Sequence, residues 1–289
     1  DNSVNDAGAA YVFTRNGNTW SQQAYLKSSN SEVDDLFGWS VAIAGETIVI
    51  GAKFEDSGND GVNGNQNDNS APDAGAAYVF TRSGAAWSQQ AYFKASNSDR
   101  GDNFGNSVAI ADETIVIGAN FEFSGSDGVN SNQGDNGVSD AGAAYVFTRT
   151  GVTWSQQSYL KASNSDAGDR FGNSVAIAGE TIVVGAVFEA SGSNGVDGNQ
   201  ADNGTPFSGA VYVYTFTESP PDVMQFAVKV KTNTKLGKVT GAGSYAQGSS
   251  ITLTAKAKRG KKFLGWYEGK KLLSKKKMYI LKNLTKDLN

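Results

Sequence analysis

One feature limits what this chain can fold into more than any other: a repeat of constant length. "AGAAYVFTR" occupies residues 7–15, 74–82 and 141–149, and a decayed copy, "SGAVYVYTF", occupies 208–216. Trp20, Trp87 and Trp154 stand 67 residues apart, as do Phe37, Phe104 and Phe171, each followed by Gly. A fixed period with almost no insertions means one structural unit, copied. A unit this small cannot bury both of its faces alone, so neighbouring copies must cover one another.

Four strand signals fill each copy. "SVAIA" (107–111) alternates Val108 and Ile110, and "TIVIGA" (114–119) is a continuous apolar run, as expected of a strand buried on both faces. "AAYVFTR" (143–149) follows, and "WSQQAYFKA" (87–95) reads as a more polar outer strand. Tight turns at Gly45-Glu46, Asp112-Glu113 and Gly179-Glu180 join the first two strands, and "RSGAAW" (82–87) joins the third to the fourth. A repeated four-stranded antiparallel meander is the blade of a β-propeller. The expected fold is therefore all-β, with a strand tally of two, four, four and three, or about three and a half blades. Closed propellers use roughly 4–8 blades, so further blades are expected upstream, in a piece of a longer or processed chain. Closure into a compact four-bladed ring by the terminal half-blades is the alternative.

Composition narrows the chemistry. The chain has no Cys and no His, which removes disulfides, thiolate metal sites and every imidazole-based catalytic arrangement. Catalysis would have to rest on carboxylates, Lys or Tyr, and no carboxylate pair is unique against the repeat background, so a non-enzyme is expected. Residues 1–219 hold 9 Lys+Arg against 26 Asp+Glu, a net -17, whereas residues 220–289 hold 16 against 3, a net +13. Opposite signs indicate two domains, 1–217 and 224–289, joined by a linker over 218–223 within "ESPPD". Repeat units are placed at 37–103, 104–170 and 171–217, after a half unit at 1–36. No apolar run approaches the roughly 20 residues of a membrane span.

At "FGNSVAIADETIVIGAN" (104–120) the chain resembles the FG-GAP repeat of integrin-alpha-type β-propellers, in its bacterial variety with "GVNGNQ" loops. The resemblance covers about residues 1–217. It implies a seven-bladed propeller used for extracellular adhesion or recognition, and hence a secreted or cell-surface location. Two departures matter. The Pro of the family motif is replaced in "GAK", "GAN" and "GAV", and the family's usual calcium loop between the first two strands has collapsed to the tight turn.

The oxygen-rich residues lie instead in long connections between the second and third strands, at 54–73, 121–140 and 188–207. These loops share a face with the acidic connections after the fourth strands, and loops on a rigid scaffold commonly carry binding. On that face Asp56, Asp99, Asp102, Asp166 and Asp169 are candidate contacts. An EF-hand-like ligand pattern fails in every loop, but a later set recurs: Asp60, Asn63, Asn65 and Asp68; Asp127, Asn130, Asn132 and Asp135; Asn194, Asp197, Asn199 and Asp202. Their spacing suits one calcium ion per loop. The competing reading is turn chemistry, in which Asn and Asp close Asx-turns and Gly supplies positive φ. Asp35, Asp102 and Asp169, two residues before each Phe-Gly, are expected to bond turn N–H groups. The three Trp could stack on sugars, but their recurrence favours packing between blades.

The basic stretch "GKVTGAGSYAQGSSITLTAKAKRGKKFLGWYEGKKL" (237–272) looks like a divergent internalin-type B-repeat, a small β-grasp-like module of bacterial surface proteins, whose usual last strand is expected to be clipped after Asn289. Strand signals lie at 226–231, 250–256 and 278–282. Lys256, Lys258, Arg259, Lys261, Lys262, Lys275, Lys276 and Lys277 are candidates for holding an anionic surface polymer. The alternative is a solvated charged face, and no nucleic-acid recognition motif is present. The expected partner of the acidic face is an extracellular protein or glycan. A non-catalytic region of a larger secreted enzyme, or a purely structural surface repeat, is the other reading of the whole chain.

Overall fold

The computed structural model describes residues 3–216, 225–246 and 250–281, all strands and turns without a helix among them. The chain divides into two compact units, Asp1–Phe216 and Thr217–Asn289. The expected linker at 218–223 lies outside the described residues.

The first unit is a run of antiparallel sheets. β1 (Ala10–Asn16) and β2 (Thr19–Leu26) form a two-stranded piece. A full blade follows, β3 (Ser40–Ala44), β4 (Thr47–Ala52), β5 (Ala76–Ser83) and β6 (Ala86–Phe93), paired in that order. The next blade repeats it with β7 (Phe104–Ala111), β8 (Thr114–Ala119), β9 (Ala143–Thr150) and β10 (Thr153–Leu160). Three strands close the unit, β11 (Phe171–Ala178), β12 (Thr181–Ala186) and β13 (Ala210–Thr215). The tally of two, four, four and three is the one that the sequence predicts. These are the blades of a β-propeller.

Burial follows the alternation of each strand and its place in the blade. β4 and β8, second from the inner edge, are buried almost throughout. β6 and β10 start exposed and end buried. Between blades the core is aromatic. Phe93 of one blade stacks on Phe147 of the next at 4.5 Å and meets Trp154 edge-on at 5.6 Å. Trp87 and Trp154 donate from Nε1 to Gln23 and Gln90 of the preceding blade, at 2.9 and 2.8 Å. Trp154 is 4% exposed, whereas Trp20, with no described blade before it, is 62% exposed. The recurring Trp is a packing residue.

Phe37, Phe104 and Phe171 are buried, each edge-on to a Tyr of the third strand of its own blade (Tyr78, Tyr145 and Tyr212) at 5.3 to 5.4 Å. The glycines after Phe104 and Phe171 serve a different end. A Cβ on Gly51 of β4 would lie 2.0 Å from the carbonyl oxygen of Gly105, and one on Gly118 of β8 would lie 2.0 Å from that of Gly172. Two backbones from adjacent blades touch there. Ser40 and Ser107 seal the contact, donating from Oγ to the Gly105 and Gly172 carbonyls at 2.7 and 2.8 Å.

The second unit comprises β14 (Gln225–Val228), β15 (Gly237–Thr240), β16 (Gly243–Ala246), β17 (Ile251–Ala257), β18 (Trp266–Glu268), β19 (Lys271–Ser274) and β20 (Met278–Leu281). β15, β17 and β20 pair as one sheet, β14 and β16 pair across β15, which intervenes in sequence, and β18–β19 is a hairpin. Val228, Ile251, Leu253, Ala255 and Trp266 form its core, and Phe263 packs edge-on against Trp266 at 5.4 Å.

The glycine contact yields a prediction. Gly118→Ala forces backbone apart and should cost about 3 kcal/mol. Gly151→Ala, at a turn with φ of 64° and no neighbour within 4 Å, should cost only about 1–2 kcal/mol of left-handed strain. Urea unfolding of the two variants beside the wild type checks the ranking; equal losses would disprove the contact.

Candidate functional site

Each long loop leaves the second strand of a blade and is anchored at once by a buried glutamate: Glu55, Glu122 or Glu189, each 1% exposed. Glu55 Oε2 accepts from Lys94 Nζ at 3.0 Å and from the Ser57 amide at 3.1 Å. Glu55 Oε1 accepts from Asn30 Nδ2 at 3.0 Å. The next blade repeats this: Glu122 accepts from Lys161 Nζ and Asn97 Nδ2, both at 3.0 Å, and from the Tyr159 hydroxyl at 2.9 Å. A buried carboxylate is tolerable only when paired and hydrogen-bonded in this way. Burial pushes the Lys94 and Lys161 ammonium groups below the usual lysine range, and the neighbouring glutamates oppose that shift. In the third blade Glu189 keeps Asn164 and Ser191 as partners. The residue 67 beyond Lys161 is Val228, in the other unit.

Further along, each of the first two loops zips onto its own outer strand. Val62 bridges Phe93 and Val129 bridges Leu160 in antiparallel fashion. Asn63 and Asn130 take left-handed φ values of 58° and 54°, which Asn tolerates well. Their Oδ1 atoms accept from the Tyr92 and Tyr159 amides at 3.0 and 2.9 Å. Asp60 and Asp127 are exposed, each with Oδ1 accepting the amide of Ser98 or Ser165 at 2.8 or 2.7 Å. Asn65, Asn132 and Asn199 close turns onto the amide two residues on, and so do Asp68, Asp135 and Asp202. Asn194 and Asp197 of the third loop are exposed. Among the described residues, no three acidic side chains gather closely enough to hold a metal ion. The twelve calcium candidates are spread along the loops, most with a side-chain oxygen already engaged by the backbone.

The binding-face aspartates separate into two groups. Asp99 and Asp166 accept from Asn136 and Asn203 of the following long loop at 2.7 and 2.8 Å, and Asp56 accepts the Asp73 amide at 2.9 Å. Asp102 and Asp169 are not surface contacts but are buried at 1% and 3% exposure, in keeping with the other expectation, that they bond turn N–H groups. Like Asp35, each turns its Oδ2 inward onto the amide three residues earlier, at 2.7 to 3.0 Å. Burial raises Asp102 to about 8 and Asp35 and Asp169 to about 6, against the turn hydrogen bond that lowers them.

Sequence reasoning missed the glutamate anchors and the buried Lys94 and Lys161. Their signal was present: "FE" opens all three loops, and "KSSN", "KASN" and "KASN" follow the outer strands. Any single copy reads as a solvated loop, because Lys and Glu are rarely buried. In the second unit all eight anionic-polymer candidates are exposed, from Lys256 to Lys277.

Comparison with known families decides the relationship. The FG-GAP repeat matches residues 20–80, 87–147 and 154–214, more than half of the chain. The chain belongs to the FG-GAP repeat family. Its second unit matches the divergent InlB B-repeat domain over residues 227–282. Comparison with curated proteins returns no match. Both domain types are typical of extracellular or surface repeat proteins. No described helix is long and apolar enough to cross a membrane. Each FG-GAP match starts at the outer strand of one blade and ends on the third strand of the next, so the family unit and the blade are offset by one strand. Two-residue turns at 45–46, 112–113 and 179–180 join the first two strands of each blade, as expected from the sequence.

Two predictions follow from this geometry. A raised carboxyl pKa means that the folded state holds protons that the unfolded chain has released. Stability from Asp102 is therefore complete below the ordinary Asp range near 4 and is lost as pH rises toward 8. Thermal melts from pH 4 to 9 should show this fall, and Asp102→Asn should flatten it. Excess Ca²⁺ and excess chelator should give the same melting temperature. A rise with Ca²⁺ alone would show that the loops do hold ions.

Proposed function

We propose that this chain is a non-catalytic recognition component of a bacterial cell surface, which binds an extracellular protein or glycan through the loop face of its propeller. The observation that carries this reading is the lacing of the loops. The long loops are fastened to the preceding turn through pairs such as Asn136–Asp99 and Asn203–Asp166, and the first two also to their own outer strands through Asn63 and Asn130. Successive blades thus build one pre-ordered surface of amides and carboxylates, and a surface that does not need ordering on binding keeps more of its interaction energy. Buried Lys–Glu pairs hold this surface in place and leave the exposed carboxylates free to face a ligand.

Under the same reading, the basic second unit attaches the protein to an anionic surface polymer. Its exposed Lys256, Lys258, Arg259, Lys261, Lys262, Lys275, Lys276 and Lys277 supply a dense positive field. That attachment should weaken steeply as salt rises.

The full chain, immobilised and screened against glycans and surface-protein ectodomains, tests the proposal. Asp60→Asn and Asp127→Asn keep the turn-closing Oδ1 but remove charge. They should weaken capture several-fold, chiefly through slower association. Absence of any captured ligand, unchanged capture by the variants, or turnover of a substrate would each defeat the reading.

A further inference from the structure

The glutamate anchors contain a reactive constellation. At each of two sites a buried amine, a buried carboxylate and a carboxamide meet. Lys161 Nζ and Asn97 Nδ2 share the two oxygens of Glu122, both at 3.0 Å. The Tyr145 hydroxyl donates to Asn97 Oδ1 at 2.7 Å. Lys94, Glu55, Asn30 and Tyr78 repeat the set, with the same 3.0 Å contacts and a Tyr78 to Asn30 hydrogen bond of 2.6 Å. Lys94 and Lys161 are wholly buried and the glutamates are 1% exposed. A buried ion pair by itself is weak support for a fold, and each Asn also donates Nδ2 to the Gln66 or Gln133 carbonyl, at 2.8 or 2.9 Å, which holds its carboxamide in place beside the pair.

The parts match those of an amide transfer: a nucleophile, a proton carrier, an electrophile and a donor at the oxygen that becomes charged. We propose that Lys94 is joined to Asn30, and Lys161 to Asn97, by spontaneous amide bonds between the lysine Nζ and the asparagine Cγ.

The lysine ammonium passes a proton to the glutamate. Its neutral nitrogen attacks Cγ, and the oxyanion at Oδ1 takes the tyrosine hydrogen bond. The glutamate returns a proton to Nδ2, the Cγ–Nδ2 bond breaks, and ammonia leaves. One C–N bond forms and one breaks, and no oxidant, reductant or other reactant is needed. The amine gives up its second proton through the glutamate to the departing ammonia, which leaves as ammonium, and the glutamate ends as the carboxylate it began as. Desolvation favours the neutral amine, and burial lowers both lysines in that direction. Asn30 and Asn97 are half-buried, which leaves ammonia a way out.

The chain carries its own controls. Among the described residues, Glu189 and Asn164 have the Tyr212 hydroxyl in place but no lysine, and Lys27 has no glutamate as hydrogen-bond partner, donating instead to the Gly8 carbonyl. Two links are therefore expected, each joining the turn before a blade to the end of that blade's outer strand.

Intact mass spectrometry of the denatured full chain, with tryptic mapping, tests this. The wild type should be lighter than its sequence by two ammonia molecules. It should yield branched peptides that join the Asn30 region to Lys94 and the Asn97 region to Lys161. Glu122→Gln should lose only one ammonia, and Lys94→Arg with Lys161→Arg should lose none. Ring closure at an Asn-Gly step also expels ammonia, so the branched peptides decide: linear peptides alone, with tryptic cleavage after Lys94 and Lys161, overturn the proposal even where a variant fails to fold.

Discussion

The propeller unit depends on one backbone contact. Gly51 against Gly105, and Gly118 against Gly172, bring the second strand of one blade onto the start of the next with no side chain between them. The buried Phe then anchors the third strand of its own blade, and the serine hydroxyl fixes the seam. A methyl group on either partner of the contact would open the interface. Second strands of constant length keep that contact in register, because an inserted residue in a strand would carry the glycine out of place.

From that contact outward the structure becomes progressively more polar without becoming loose. The apolar second strand runs straight into the glutamate that begins the long loop, so the loop starts from a buried, fully partnered charge. Beyond it, asparagine and aspartate side chains repeatedly bond backbone amides within the same loop or the adjacent turn. A loop of this length would ordinarily pay a large ordering entropy. Here most of that ordering is completed within the fold.

Much of this was legible in the residues. Alternation in "SVAIA", the apolar run of "TIVIGA" and the turn residues between them fixed strand count, order and hairpin position, because these depend on local chemistry. The long loops were legible only as a choice between metal binding and turn closure. Whether Asp68 faces an ion or the Ser70 amide depends on loop shape, which one sequence does not specify. Asp102 and Asp169 offered two readings, and the fold adopts the turn reading: each accepts the amide three residues earlier from a buried position. The buried lysines show only when the copies are compared, because a single copy reads as solvated and their partners come from a distant part of the repeat.

The one-strand offset between the family unit and the blade bears on how such a chain can evolve. Because every copy has the same period, unequal recombination between any two copies removes or adds one complete blade, wherever within the repeat the exchange falls. The new seam inherits a matched glycine pair, and the new loop inherits its glutamate, asparagine and lysine from the flanking copies. The extent of the displayed surface can thus change in a single genetic step while each blade, and the spacing between loops, stays as it was.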